Sequence, residues 1–506
     1  MNITKENLYF TTAIDYPNGP PHLGHAYEKV VTDCYVRWYR LNGHKVFLTT
    51  GTDENGQKLV KAAESVGMST LQLVNENVDR FRKLCTDLNI QFDDFIRTTE
   101  KRHIKTVYDL WHKMKTNGDI YLGKYSGHYC IACETFYTET QAEKGQCPVH
   151  KIPLTFMEED GYFFKLSRYQ EWITTFLTET PNFLFPKSVR VELLSRLNGE
   201  KLGDLSISRP NEGWGIEVPD DSKHVIYTWF DALISYYTSA LYDDHGEPRI
   251  GVTRWPAFVH VIGKDISWFH AVIWPTMLKS AGICIPKQIY IHGMVLGSDG
   301  KRMSKTVGNG VDPQDCLQEF SVDSFRYFML KVIPSGQDGA FSKLELARTH
   351  NSDLANEFGN LIMRVVKLSL GFIGKNVEVA DLIDFELDFI EQVSEAMDSR
   401  EHSKALGLIW NGVRKLNSYI NQEEPWKKKT DKIAFHRVMY TALFNLNIVC
   451  VLLIPFIPAS ADCALNLLGS ELSPINILKK TKGPFQLSDG QPLFPRIELA
   501  TDIKAN

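Results

Sequence analysis

Several broad classes of protein are excluded by what this chain lacks. No apolar run is long enough to cross a bilayer. The longest, residues 448–454, stops at Pro455, whereas a spanning helix needs about 20 apolar residues. No signal peptide is visible, because residues 1–6 are polar and the apolar stretch 8–14 is broken by Thr11 and Thr12. There are no internal repeats and no low-complexity tracts. Cysteine is scarce, nine in 506 residues, and the odd count argues against a disulfide framework. Six of the nine (Cys34, Cys85, Cys284, Cys316, Cys450 and Cys463) are scattered and read as small core residues in a reducing compartment. Excess charge of one sign is also missing. The net charge of −5 gives no hint of nucleic-acid binding, although a local basic patch suffices for phosphate contacts. A soluble cytoplasmic protein without a membrane segment is expected.

What is present is an ordinary globular composition, 43% hydrophobic and 23% charged, long enough for about three or four domains. Residues 8–14 read as a strand, followed by the breaker cluster Pro17-Asn18-Gly19-Pro20-Pro21. A helix is expected over 22–41, with Ala26, Val30, Cys34 and Leu41 on one face and Gly43 at its end. A strand over 46–50 and a helix to about Ser65 follow. Strand and helix in alternation indicate a parallel sheet. The same pattern returns with strands over 258–262 and 289–296. Between the halves, 119–223 carries clustered cysteines, glycines and short strands, and reads as an insertion. Beyond Ser342 the apolar spacing is helical, as in Leu406, Ile409, Trp410, Val413 and Leu416, and predicts a bundle.

His22-Leu23-Gly24-His25 opens the first helix directly after a strand and turn. The two histidines share a helix face. Free N–H groups at a helix start suit phosphate, Gly24 lets a flat ligand approach, and imidazoles can donate to an oxygen gaining charge. A pair of satisfied surface or core histidines explains the string alone equally well. Lys301-Arg302-Met303-Ser304-Lys305-Thr306 lies between Gly297 and Gly300 on one side and Gly308 and Gly310 on the other. Such a mobile cationic loop can close over a polyphosphate; by itself it is also what a solvated basic turn looks like.

Cys130 and Cys133 are two residues apart, and Cys147 and His150 repeat that spacing. Three thiolates and an imidazole complete a tetrahedral shell for one structural zinc; a metal-free remnant or a redox pair is the alternative. Trp229, Ala232 and Tyr236 share one helix face, which is a core stripe or the wall of a pocket suited to a thioether. Asp53 and Asp265 each follow a strand end, where ligands bind in open parallel sheets, or they cap the next helix. Asn360 and Arg364 share a helix face, and Trp426 precedes Lys427-Lys428-Lys429. Together these suit single-stranded RNA, although each alone reads as surface or core.

The histidine string and the basic loop, in this order and each after a sheet strand, resemble the two signatures of class I aminoacyl-tRNA synthetases. Tyr16 to Gly19, Gly51 to Gly56, Gly203 to Arg209 and Gly263 to Asp265 narrow the resemblance to methionyl-tRNA synthetases, in a single-zinc form. The resemblance implies an α/β fold: a Rossmann-type catalytic domain (1–118 and 225–296) split by a zinc-binding insertion (119–224), then a signature-loop region (297–350) and an all-α anticodon-binding bundle (351–506).

By the same resemblance, His22, His25 and Lys305 are catalytic. His22, Gly24, His25, Lys301, Arg302 and Lys305 hold ATP with Mg2+. Ile14, Tyr16, Asp53, Trp229, Ala232, Tyr236, Phe269 and His270 hold L-methionine, with Asp53 on its amino group. Asn360, Arg364 and Trp426 read the anticodon of initiator and elongator methionine tRNAs. Arg302 replaces the first lysine usual in the loop motif, keeping charge but changing geometry. A monomer is expected, as no further domain follows the bundle. A class I enzyme for another amino acid, or an inactive RNA-binding relative, remains as an alternative.

Overall fold

Alternating strand and helix near the amino end build a parallel sheet in the computed structural model. The structure describes residues 6–130, 135–137, 145–148, 151–251, 254–303, 311–383, 389–470 and 482–498. The chain enters through β1 (Asn7–Thr12), α1 (Leu23–Leu41), β2 (Lys45–Thr52) and β3 (Asp94–Arg97). It returns to the same sheet through β4 (Leu184–Phe185), α2 (Thr228–Leu241), β5 (Val259–Gly263) and β6 (Ile289–His292). The strand order is β3-β2-β1-β5-β6-β4, with every pairing parallel. β1 therefore sits where the winding reverses. In open α/β sheets the crevice at such a switch point, at the carboxyl ends of the strands, receives ligands.

Each expected strand of this core is present, with one difference. The run 289–296 breaks after His292, and Val295–Leu296 pairs separately with Gly339–Ala340. The segment expected as an insertion is also not wholly separate, since β4 belongs to the sheet. Two helices of that segment, Gln170–Glu179 and Lys187–Gly199, pack Ile173, Leu177, Leu193 and Leu197 against Ile262, Ile289 and Ile291 of β5 and β6. Other described residues of the segment contribute to a four-stranded antiparallel sheet and a three-stranded one.

The carboxy-terminal region is helical, from Lys343 through the long helices His402–Glu423 and Lys432–Leu453. The latter is apolar and long enough to cross a membrane, but 83% of its most apolar window is buried inside the protein, the pattern of a core helix. One hydrophobic core runs from α1 into this bundle. Arg326 joins them. Fully buried, it pairs with Asp33 of α1 at 2.7 Å and donates to the carbonyls of Leu88, Pro455 and Phe456 at 3.1–3.2 Å. Residues 482–498 cross back over the bundle, where Asn351 holds Ile497 through both its amide donor and its acceptor at 2.9 Å.

Candidate active site

At the switch point the first helix begins with its own histidines as caps. His22 Nδ1 accepts the Gly24 N–H, and His25 Nδ1 accepts the His22 N–H, each at 3.1 Å. This corrects the expectation of unoccupied N–H groups, because two of these backbone donors are taken by the imidazoles. The geometry also settles the tautomer: a neutral ring that accepts at Nδ1 carries its proton on Nε2, the atom able to donate to a ligand oxygen. The rings stack 3.7 Å apart. Burial, and then the nearby His22 and Lys29, hold the His25 imidazole well below its usual pKa, so it is neutral at physiological pH. Gly24 has a reason besides ligand approach, since a Cβ there would lie 2.9 Å from His22 Cε1.

Beneath the histidines runs a buried polar network. Lys29 Nζ reaches Thr12 Oγ1 at 3.0 Å, the Ala13 carbonyl at 3.1 Å and both Asp15 oxygens. Glu28 lies 3.6 Å from Lys29 and 3.0 Å from His292 Nε2. Asp15 stands 4.0 Å from His25 Nε2. One ammonium thus faces two carboxylates. Glu28 is also held by His292, and despite burial its pKa lies below the usual value. Burial pushes Asp15 up to about 7, against the opposing charge of Lys29.

The neighbouring crevice is a cavity of about 230 Å³ lined by Ile14, Tyr16, Asp53, Trp229, Ala232, Tyr236 and His270. That is smaller than the ~300–1,000 Å³ of pockets for drug-sized ligands and suits one amino acid. Phe269 stacks on Trp229 at 4.2 Å and 12°. The sequence-expected pocket residues therefore come together. Asp53 follows β2 and is buried; its backbone N–H bonds the Asp15 carbonyl, and Asp15 N–H bonds the Gly51 carbonyl, each at 2.8 Å. A side chain at Gly51 would meet the Ile96 carbonyl at 2.0 Å, so only glycine allows the end of β2 to lie this close to β3.

His270 lies in a π-helical turn, Phe269–Ile273, a feature frequent at functional sites. It lies 2.8 Å from the Tyr236 hydroxyl and 3.0 Å from the Ile266 carbonyl. Burial lowers its pKa to about 4, so the ring is neutral and closes the pocket without adding charge.

Sequence reasoning misses Thr228, Lys58, Leu233 and Ile266, which line the same cavity. Thr228 Oγ1 lies 3.0 and 3.1 Å from the Asp53 oxygens and 2.9 Å from the Asn55 carbonyl. Its place in the first turn of the aromatic helix was the available signal. Asp231 is fully buried beside Asn55, whose amide donates to it at 2.7 Å. Burial, then the charge of Asp53, raises its pKa well above the usual value.

The stem of the basic loop is a tight turn. Gly297 N–H bonds the Lys301 carbonyl at 2.8 Å, and Gly300 takes φ 72°. Arg302 Nη2 lies 3.5 Å from Asp265 Oδ2. Since Asp265 follows β5, beside β1, the loop stem and the histidine helix flank the same end of the sheet. Lys305 lies outside the described residues.

Of the zinc set, Cys130 ends the strand Ile120–Cys130, and Cys147 is held in a turn by the bonds Cys147 N–H to Ile152 O and Lys151 N–H to Cys147 O, each at 2.8 Å. Both side chains are fully buried. Cys133 and His150 lie outside the described residues. Among the described residues no group of three or more His, Cys, Asp or Glu is placed to hold a metal ion.

In the bundle, Asn360 and Arg364 lie on the helix Asn360–Phe372, which continues a π-helical segment, His350–Gly359. Arg364 donates to Asn417 Oδ1 at 2.8 Å and Asn421 Oδ1 at 3.0 Å, on the helix His402–Glu423. Just beyond, Glu424 turns the chain through φ 44°, and Trp426 follows in a short 3₁₀ turn, 38% exposed. Lys427 and Lys428 pair back to Glu424 and Glu423. The expected block of three phosphate-binding lysines is therefore divided.

The model for class I tRNA synthetases of the methionine type matches residues 8–153 and 151–366, and that for the anticodon-binding domain of methionyl tRNA ligase matches 373–477. The chain is 39% identical to the methionine–tRNA ligase of Brucella melitensis, covering 98% of each chain. It is 40% identical to that of Mycobacterium leprae, over 92% of this chain and 89% of the relative. Among solved structures, Mycobacterium tuberculosis methionyl-tRNA synthetase in complex with methionyl-adenylate superposes with a TM-score of 0.91 at 37% identity, covering 97% of this chain and all of that one. The apo form of that enzyme gives 0.85 at 34% identity, over 98% of this chain and 99% of that one.

Proposed function

The chain belongs to the methionyl-tRNA synthetase family, an ATP-dependent ligase acting on tRNA, and from that premise we propose how its residues divide the work. Asp53, oriented by Thr228, takes the ammonium group of methionine. The thioether lies among Trp229, Ala232, Tyr236 and His270, where sulfur–ring contacts favour it. Ile14, Tyr16 and Phe269 complete the walls. ATP, as its magnesium complex, lies along the crevice between α1 and the basic loop.

The methionine carboxylate attacks the α-phosphorus. A carboxylate oxygen–phosphorus bond forms, the bond to the β-phosphate oxygen breaks, and pyrophosphate leaves. Such a displacement needs positioning and charge stabilisation more than covalent help. His22 and His25 supply Nε2 donors, and Lys301, Arg302 and Lys305 supply positive charge. A hydroxyl at the tRNA 3′ end then attacks the acyl carbon and AMP departs. The observation that carries this reading is the single cavity lined by Asp53, Trp229, Ala232, Tyr236 and His270 beside the capped histidine helix.

We further propose that Cys130, Cys133, Cys147 and His150 hold one structural zinc. Two fully buried thiols, Cys130 at a strand end and Cys147 in a turn, support this, and the donor set fits a tetrahedral site. Asn360, Arg364 and Trp426 read the anticodon of initiator and elongator methionine tRNAs, a role supported by the Asn417 and Asn421 contacts that hold Arg364 against the helix leading into the turn that carries Trp426. A monomer in the cytoplasm is our reading from sequence, the location supported by the buried thiols of Cys34, Cys85, Cys316 and Cys450.

Charging of unfractionated tRNA with each amino acid in turn tests the function. Label should enter tRNA only with methionine, and Trp426→Ala should weaken charging. Charging with another amino acid alone would overturn the reading.

A further inference from the structure

Beyond Trp426 the bundle carries an open groove of about 850 Å³, bounded by the end of the helix Asn360–Phe372, residues 376–381 and the start of the helix Lys432–Leu453. The Phe372 ring is 46% exposed in it and packs at 5.3 Å against Phe435. Lys429 Nζ stands 4.5 Å from the centre of that ring. Lys429, Lys432, Arg437 and Lys482 line the groove, and none has an ion-pair partner among the described residues. They differ in this from Lys427 and Lys428, which pair back to Glu424 and Glu423. Glu378 and Asp381 face them across the groove, so the lining stays cationic by two charges. His436 also lines it, and its Nε2 is buried without a hydrogen-bond partner among the described residues.

We propose that this groove is a second RNA-binding surface, holding the backbone and one stacked base of tRNA nucleotides that flank the anticodon. The inference rests on the anticodon reading of Asn360, Arg364 and Trp426, which it extends past the triplet. Three observations favour this occupant. An exposed aromatic face beside a cation suits a nucleobase of any identity. Cations spread along a groove match phosphates repeated along a strand better than one compact anion. Lys429, which lines the groove, also lies three residues after Trp426 in the chain. Recognition here is by charge and stacking, without base-edge readout, so it adds affinity and leaves discrimination to the triplet site.

The test is binding of the full chain to a labelled anticodon stem-loop of methionine tRNA, followed by fluorescence anisotropy across a salt series. Lys432→Gln with Lys482→Gln, both exposed positions, should flatten the slope of log K against log salt by about 0.7–0.9 per lysine. Phe372→Ala should weaken binding roughly 5–100-fold. Neither change should alter the preference for the cognate triplet over a singly substituted one, and circular dichroism melting reports whether each variant folds. Wild-type affinity and slope in folded lysine variants would overturn the proposal. So would loss of triplet preference, which would make the groove the reader. If Trp426→Ala keeps the preference while the groove variants weaken binding, the anticodon reading fails and the groove stands.

Discussion

Lys29 Nζ lies 3.0 Å from Asp15 Oδ2, with both side chains buried below the paired histidines. The contact ties α1 to the end of β1 one turn after His25, so the residue expected to donate to phosphate is anchored to the strand that defines the crevice. Burial raises the Asp15 pKa to about 7, because the opposing charge of Lys29 is shared with Glu28 and offsets it only in part.

That shift has a definite sign. The folded pKa lies above the unfolded value of about 3.9, so the favourable contribution of protonated Asp15 is complete below pH 4 and is lost as pH rises through 7. Wild type should lose stability relative to Asp15→Asn across that window, by on the order of a few kcal/mol. Denaturant unfolding at pH 5 and pH 8 measures it. A difference between the two proteins that does not change with pH would refute the assignment.

Gly24→Ala places a methyl group 2.9 Å from His22 Cε1, and the imidazole must move. Displacing a reacting group by about 1 Å can cost on the order of 10²-fold in rate, so exchange of pyrophosphate into ATP should fall toward that level. Lys305→Ala should cost roughly 10²–10³-fold through loss of transition-state charge. Pre-steady-state adenylate formation resolves both, and rates within twofold of wild type would dismiss the roles.

Thr228→Val removes the hydroxyl beside both Asp53 oxygens. A hydrogen bond to a charged group is worth about 1.5–3 kcal/mol, so KM for methionine should rise about tenfold or more while KM for ATP stays constant. Equal rises in both would point to a general loss of structure.

Asp33 and Arg326 form a buried link between α1 and the bundle. Asp33→Asn leaves Arg326 without its counter-charge, and breaking such a pair typically costs about 3–5 kcal/mol. Thermal and denaturant unfolding would show the loss, and an unchanged midpoint would mean that the carbonyls of Leu88, Pro455 and Phe456 hold the guanidinium unaided.

Much of the site is legible in the sequence because its residues fall at element ends with recognisable spacing. His22 and His25 follow a breaker cluster, Asp53 follows a strand, and Trp229, Ala232 and Tyr236 follow a helical period. What is hidden depends on tertiary approach. Nothing local pairs Lys29 with Asp15 or sets Thr228 against Asp53. Leu184–Phe185 is too short to show strand alternation, so the sheet's edge strand disappears into the expected insertion. The His22–His25 cap is a side-chain choice that the motif permits but does not spell out. The division of the lysine run depends on Glu423 and Glu424, whose pairing follows only once the helix end is placed.

The capped histidines, the Asp53 cavity and the basic loop are proposed to act together on ATP and methionine. Exchange of labelled pyrophosphate into ATP, run without tRNA and with each amino acid separately, measures that joint action. Exchange should depend on methionine and be abolished or severely slowed in His25→Ala. Exchange driven by a different amino acid, or none with methionine in the folded wild-type protein, would contradict it.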